Sequence, residues 1–249
     1  MLPTELLVDP AGRSGAANMA IDAGLLAEAA RTGRAFLRLY RFDPPCLSLG
    51  RNEAAAHYDR AAIAQRGLDV VRRPTGGRAV WHEYELTYAV AAPIATFGGL
   101  RAAYHAIHTR LAAAIRTLGV TATLAPNAPT ARPPVRLSSC FAAPVGGEVL
   151  VAGRKLVGSA QVRKGSAFLQ HGSILLDGSQ EIVRVVSRQA SAVSGETTLS
   201  RVLRRRVSFD EVAGAIVAAW GDEVTSPNLH QPPPTSTTVL SDLAPLGVA

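Results

Sequence analysis

Apolar residues recur along this chain at two spacings, and the spacing assigns most of its elements. From 100 to 118, Leu100, Tyr104, Ile107, Leu111, Ile115 and Leu118 repeat at three and four, the stripe of an amphipathic helix, and Gly119 stops it. A second helical stretch is predicted from a cap at Asn18 to about Arg31, with Met19, Leu25, Leu26 and several alanines as its apolar side and Gly33 at its end. Ser208 to Glu211 has capping-box form and opens a last helix ending near Trp220. A short helix is predicted over 59–65. Strands are predicted over 2–8, 35–42, 46–49, 68–72, 85–91 and 120–124, with Asp43-Pro44-Pro45 separating the second from the third. From 148 to 176 short strands alternate with glycine turns, and 126–134 reads as a proline-rich loop. This order predicts an α/β (α+β) fold, a mixed β-sheet packed with helices, in a single unit over 1–226 with a helical C-terminal part. A loose Pro/Ser/Thr-rich tail is predicted over 227–249.

Composition narrows the class. With 249 residues, 47% of them apolar and 18% charged, the chain can bury a sizeable core and does not read as disordered. No apolar run approaches the roughly 18 residues of a membrane span, so no membrane association is expected. The first residues have neither a basic segment nor a long apolar core, which predicts no secretion signal. Two cysteines, Cys46 and Cys140, make no disulfide framework, and a reducing cytoplasm is the expected compartment.

The formal charge is +7, and arginine carries nearly all of the positive charge, since the lysines are Lys155 and Lys164. Such a surface attracts acidic partners, nucleic acid and acidic carrier proteins among them. The densest run is Arg201, Arg204, Arg205 and Arg206, which fits a solvated helix face and also a docking patch.

Three segments carry chemical signals. In Arg72-Arg73-Pro74-Thr75-Gly76-Gly77-Arg78-Ala79-Val80-Trp81-His82 a strand feeds a Gly-Gly turn flanked by arginines. Glycines let backbone N–H groups approach a ligand, and guanidinium groups supply fixed charge for phosphate or carboxylate, although a plain hairpin has the same look. In Gly153-Arg154-Lys155-Leu156-Val157-Gly158-Ser159-Ala160-Gln161 a lysine follows a glycine turn, where it points at a carbonyl or an anion or is simply solvated. In Ser139-Cys140-Phe141 a thiol stands at the end of a polar, proline-rich loop, a setting of reactive cysteines. Cys46, inside Pro45-Cys46-Leu47-Ser48-Leu49, reads instead as a small core residue. His105 and His108, three apart on the long helix, have metal-like spacing without a completing ligand and read as a surface pair, while His82 and His171 lie inside the motif segments. His57 and His230 join no constellation.

Taken in order, these segments resemble the biotin/lipoate protein ligase superfamily. Asn18-Met19-Ala20-Ile21-Asp22 resembles its first helix and Pro45-Cys46-Leu47-Ser48-Leu49-Gly50-Arg51 its next strand. The Gly-Gly segment resembles the acyl-binding loop, and Gly153 to Gln161, followed by Gln170-His171-Gly172-Ser173, resembles the lysine motif. The resemblance implies a mixed α/β domain that holds an acyl chain in a narrow tunnel and attaches octanoyl or lipoyl groups to a lysine of a small carrier domain.

Within the superfamily, three features resemble the cysteine-dependent octanoyltransferases more than the ATP-using ligases. Arg78 stands where ligases have a third glycine. Cys140, with Pro144 and Glu148 after it, resembles the transferases' cysteine segment, although Val145-Gly146-Gly147 departs from the bulkier residues usual there. Few residues remain after Trp220 for the accessory domain of many ligases.

The implied roles are Cys140 as thioester nucleophile and Lys155 as the cation that lowers its pKa and contacts the carbonyl or oxyanion. Acyl-substrate contacts are implied for Arg73, Thr75, Gly76, Gly77, Arg78, His82, Gly158, Ser159, Ala160 and His171. No metal and no cofactor are implied. The implied donor is octanoyl-acyl carrier protein, and the acceptor a lipoyl-domain protein such as the glycine cleavage H protein or a 2-oxoacid dehydrogenase E2. A lipoate–protein ligase and an amidotransferase between lipoyl proteins remain alternatives. A DNA-binding reading finds no room for a helix-turn-helix before Asn18, so no nucleic acid is expected.

Overall fold

Strand β1 (Thr4–Arg13), helix α1 (Gly15–Thr32) and strand β2 (Ala35–Phe42) form a parallel β-α-β unit in the computed structural model, which describes residues 3–126, 141, 146–189 and 195–225. The helix start differs from the prediction. Ser14 is the cap, its Oγ accepting from the Ala17 N–H at 3.3 Å. Asn18, the other residue of capping type, is buried in the first turn, and its amide donates to the Arg13 and Arg41 carbonyls at 3.0 Å each. A side chain fit to cap a helix here ties the helix to two strands instead. Strand β1 also runs five residues past its predicted end, through a register irregularity between Asp9 and Arg13.

Next come β3 (Cys46–Leu49), α2 (Arg60–Gln65), β4 (Asp69–Arg72) and β5 (Val80–His82). These strands make a small sheet of order β4-β3-β5. Its apolar side, with Leu47, Leu49 and Trp81, packs on α2 and on α4 (Glu181–Val186). Neither β5 nor α4 was predicted, because three to six residues are too few to display a period.

The main sheet takes β6 (Glu85–Pro93), β10 (Val157–Lys164), β11 (Ala167–Leu175) and the edge strand β12 (Val224–Thr225), in the order β10-β11-β6-β2-β1-β12. Side chains alternate across it. Leu37, Leu39, Tyr88, Val90 and Phe168 face α3 (Leu100–Thr117) and α6 (Phe209–Trp220), whereas Phe36, Tyr40, Ala89, Ala91 and Leu169 face α1. The predicted stripe of α3 is its buried face, and full burial of Ile107, Leu111 and Ile115 contributes about 1.5–3 kcal/mol each relative to exposure. The capping box of α6 forms as predicted, Ser208 Oγ accepting from the Glu211 N–H at 3.1 Å.

A third sheet, β7 (Ala122–Leu124), β8 (Val149–Val151) and β9 (Arg154–Lys155), sits against α3 and delivers Lys155. The arginine run straddles the short helix α5 (Leu199–Leu203) and is exposed, with Arg205 paired to Glu211. Among the described residues no helix is long and apolar enough to cross a membrane.

Candidate active site

A cleft opens between the main sheet and the segment that follows β4. Arg73, His82, Gly158, Ser159, Ala160 and His171 line it, which brings together six of the residues singled out in the sequence. Thr75 lies beside it, within reach of His171, while Gly76, Gly77 and Arg78 form the turn of the segment and are not among its lining residues.

Arg73, which lines the cleft, is also tied to its own loop. It is buried, and its guanidinium donates to the carbonyls of Gly76, Arg78 and Ser48 at 2.6–3.1 Å and to Ser48 Oγ at 3.2 Å. The side chain thereby holds the Gly-Gly loop against β3.

Two buried carboxylate–imidazole–hydroxyl relays stand beside the cleft. Asp22, on α1, takes hydrogen bonds from Arg38 at 3.0 Å, Tyr40 at 2.7 Å and His171 Nδ1 at 2.8 Å. Burial pushes the Asp22 carboxyl upward, but the His171 bond, the Arg38 charge and the Tyr40 bond outweigh it and hold the pKa below the usual range. His171 Nε2 then lies 2.7 Å from Thr75 Oγ1, which links the loop to the helix through β11. In the second relay Glu85 lies 2.6 Å from His82 Nδ1, and His82 Nε2 is 2.7 Å from Ser48 Oγ. Asp22 and Ser48 entered the sequence reading only as parts of family-like segments and Glu85 only as the start of a strand; none was singled out as a site residue. Their signal is partnership across the fold, which spacing does not display.

Lys155 is buried, which overturns the solvated reading. Its Nζ lies 2.7 Å from Glu148 Oε1, and both side chains are 1% exposed. Burying a lysine is costly unless it is paired. Its backbone is held from both sides, its N–H donating to the Gly195 carbonyl at 3.1 Å and its carbonyl accepting from the Thr197 N–H at 2.9 Å. The Lys155 ammonium also stands 5.4 Å from the centroid of the Phe141 ring. Phe141 packs over Gly158 so closely that a Cβ there would fall 2.8 Å from the ring.

His108 is buried, not half of a surface pair, while His105 is exposed. His108 Nε2 is 2.8 Å from Ser159 Oγ, and Tyr88 OH is also 2.8 Å from that oxygen. Desolvation, then the Lys155 charge, depress the His108 pKa to about 3, so the ring is neutral at physiological pH. The sequence held a signal for it: His108 follows Tyr104 by four and precedes Leu111 by three, within the apolar stripe.

Cys46 is a buried free thiol, as expected of a core strand. Cys140, Ser139, Pro144 and Val145 lie outside the described residues, as do His230, the tail over 227–249 and 127–134 of the proline-rich loop. Among the described residues no group of three or more His, Cys, Asp or Glu is placed to hold a metal ion.

Comparison with known proteins places this geometry. Residues 14–221 match the family model described as "Lipoyl protein ligase A/B catalytic domain". The chain is 39% identical over 209 residues to a protein of Moorella thermoacetica named octanoyltransferase LipM, covering 81% of this chain and 76% of that one. It is also 39% identical over 222 residues to the protein of that name from Carboxydothermus hydrogenoformans, covering 86% and 78%. Its fold is similar to a crystal structure of lipoate-protein ligase A bound with ATP, with a TM-score of 0.74 at 19% identity over 92% of this chain and 89% of that one. It is similar too to the bipartite lipoate protein ligase of Thermoplasma acidophilum, with a TM-score of 0.68 at 19% identity over 90% and 84%.

Proposed function

Because the chain belongs to the lipoyl protein ligase A/B catalytic domain family, we propose that it moves an octanoyl group from octanoyl-acyl carrier protein to a lysine of a lipoyl domain through a thioester on Cys140. The chain is an acyltransferase, and octanoyl transfer in lipoate biosynthesis is its reaction class. The observation that carries the reading is the 39% identity to octanoyltransferases over most of the chain.

In the first half-reaction the Cys140 thiolate attacks the donor's carbonyl carbon. A new C–S bond forms, the donor's C–S bond breaks, and the donor sulfur leaves with the electron pair and takes a proton from water. In the second, the neutral amine of the acceptor lysine attacks the same carbon. A C–N bond forms, the pair returns to the Cys140 sulfur, and the proton leaves the nitrogen to solvent. Exchange of thioesters is near balance and amide formation is downhill, so no ATP is consumed.

Several features support this assignment. Phe141, the covalent neighbour of Cys140, is anchored against Gly158 and the Lys155 ammonium. A cation beside a thiol favours the thiolate, which is the nucleophile. Met19, Tyr40, Val80 and Ala160 give the cleft apolar surface, against which burial of an acyl chain is worth about 0.8 kcal/mol per methylene. The lipoyl domain as acceptor fits the Thermoplasma relative, whose structure concerns that ligase and its E2 lipoyl domain.

Intact-mass measurement tests the proposal. The protein is incubated with octanoyl-acyl carrier protein without ATP, and an octanoyl adduct absent from Cys140→Ser is the expected result. Product that requires ATP and free lipoate, with Cys140→Ser fully active, overturns it in favour of a ligase. Octanoate taken only from an octanoylated lipoyl protein identifies an amidotransferase instead.

A further inference from the structure

The strand register lays out the cleft from end to end. Gly158 pairs with Ser173, Ser173 with Thr87, and Thr87 with Tyr40, and all four line the cleft. They form one row across β10, β11, β6 and β2, on the face of the main sheet that packs against α1. Neighbouring strands lie about 4.8 Å apart, so the row is about 14 Å long. Phe141 lies against Gly158 at one end, with the Lys155 ammonium 5.4 Å from its ring. Tyr40 stands at the other end, and Met19 belongs to that end too. Asn18, the residue before Met19, donates to the Arg13 and Arg41 carbonyls, and its own oxygens accept from Arg38, all on β1 and β2. Met19 lines the cleft and shares a buried cluster with Tyr40 and Phe42.

The length of the row can be set against an acyl chain. An extended octanoyl group, with seven C–C bonds of about 1.5 Å in a zigzag, reaches about 9 Å. With its carbonyl at the Gly158 end, its terminal methyl stops about 5 Å short of the Tyr40 position, close to one van der Waals contact.

The walls differ in their freedom to yield. The long side chains on the cleft, among the described residues, are Met19, Tyr40, Arg73, His82 and His171. Tyr40 donates to Asp22 at 2.7 Å, and the Arg38 guanidinium stands 3.8 Å from its ring centroid. Arg73 is spent on carbonyls, and both imidazoles are bonded at both nitrogens. Moving any of these four breaks a buried hydrogen bond. Met19 has no such tie: its unbranched thioether turns about three bonds and fits itself to whatever fills the space beside it.

We propose that Met19 is a specificity-determining residue that sets the acyl length, closing the cleft on the terminal methyl of an eight-carbon chain. The proposal rests on the acyl-transfer reading above and deepens it from a reaction class to a chain length.

Competition between donors tests it. The protein receives equimolar hexanoyl-, octanoyl- and decanoyl-acyl carrier protein with a lipoyl-domain acceptor, and intact mass gives the product ratios. Met19→Ala removes three heavy atoms and makes room for about two methylenes, each worth about fourfold, so the decanoyl-to-octanoyl ratio should rise about 15-fold. Met19→Phe fills the same space, and the hexanoyl-to-octanoyl ratio should rise about fourfold for each methylene shut out. Leu25→Ala, which empties a buried site on the same helix away from the cleft, should leave both ratios as in the wild type. A ratio is independent of how much of a variant is folded, and Met19→Phe carries the test where Met19→Ala is too unstable to assay. Ratios that ignore residue 19, or that shift equally in Leu25→Ala, overturn the proposal. A wild type that transfers no acyl group overturns the function on which it rests, whereas an active wild type whose ratios do not follow residue 19 overturns this inference alone.

Discussion

Removing one member of the Lys155–Glu148 pair should destabilise the protein more than removing both. At 2.7 Å and an effective dielectric near 20, the gross attraction is about 6 kcal/mol. Each ion also lost several kcal/mol of hydration on burial, so the pair as a whole sits near balance. Lys155→Met leaves the carboxylate buried without its counter-ion, and Glu148→Leu does the same to the ammonium; each should cost about 3–5 kcal/mol. The double variant replaces both ions with apolar groups and should cost no more than about 1–2 kcal/mol, giving a coupling energy of about 4 kcal/mol or more. Urea unfolding of the four proteins, with equal m-values as the check on two-state behaviour, measures the cycle. Effects that add to within about 0.5 kcal/mol would refute the view that the two charges exist for one another. Activity does not enter this cycle, so it can be read even where Lys155 is indispensable to turnover.

The other predictions are shorter. Cys46 should resist iodoacetamide in native neutral buffer, because burial and then the Asp69 carboxylate push its thiol well above the ordinary range; rapid native labelling of Cys46 would contradict this. Protonating His108 is disfavoured in the folded state, so its contribution to stability is whole above about pH 6.5 and is lost as pH falls towards about 3. Across that window the wild type should lose up to about 1.4 kcal/mol per pH unit more than His108→Gln, and parallel curves for the two would refute the assignment. Gly172→Ala would place a Cβ 2.5 Å from the Gly158 carbonyl oxygen, so thermal melts should show about 1–3 kcal/mol of destabilisation, together with lost turnover; a neutral substitution would refute the close approach.

What the sequence disclosed follows from how far each feature reaches along the chain. The stripe of α3 and the cap of α6 are local, and a few consecutive residues specify both. The start of α1 was misplaced because Ser14 and Asn18 are both capping types, and the choice between them is made by carbonyls at Arg13 and Arg41. His108 was read as half of a surface pair with His105 although it falls within the apolar stripe. The relays were out of reach for a different reason. His171 meets Thr75 across 96 positions and Asp22 across 149, and no spacing rule spans such distances. Residues of the Gly-Gly segment and of the lysine segment did meet at one cleft, and Arg73 shows that a residue can line it and also serve its own backbone.

That arrangement of Arg73 bears on how fast and how tightly the cleft can be entered. Ordering a residue's backbone costs about 1–2 kcal/mol, so a slack loop of this length would subtract many-fold from affinity each time a ligand closed it. Here the protein's own contacts supply the ordering, because the guanidinium grips the loop through its carbonyls. Association through this side of the cleft should therefore proceed in one kinetic phase, without a concentration-independent step for loop closure.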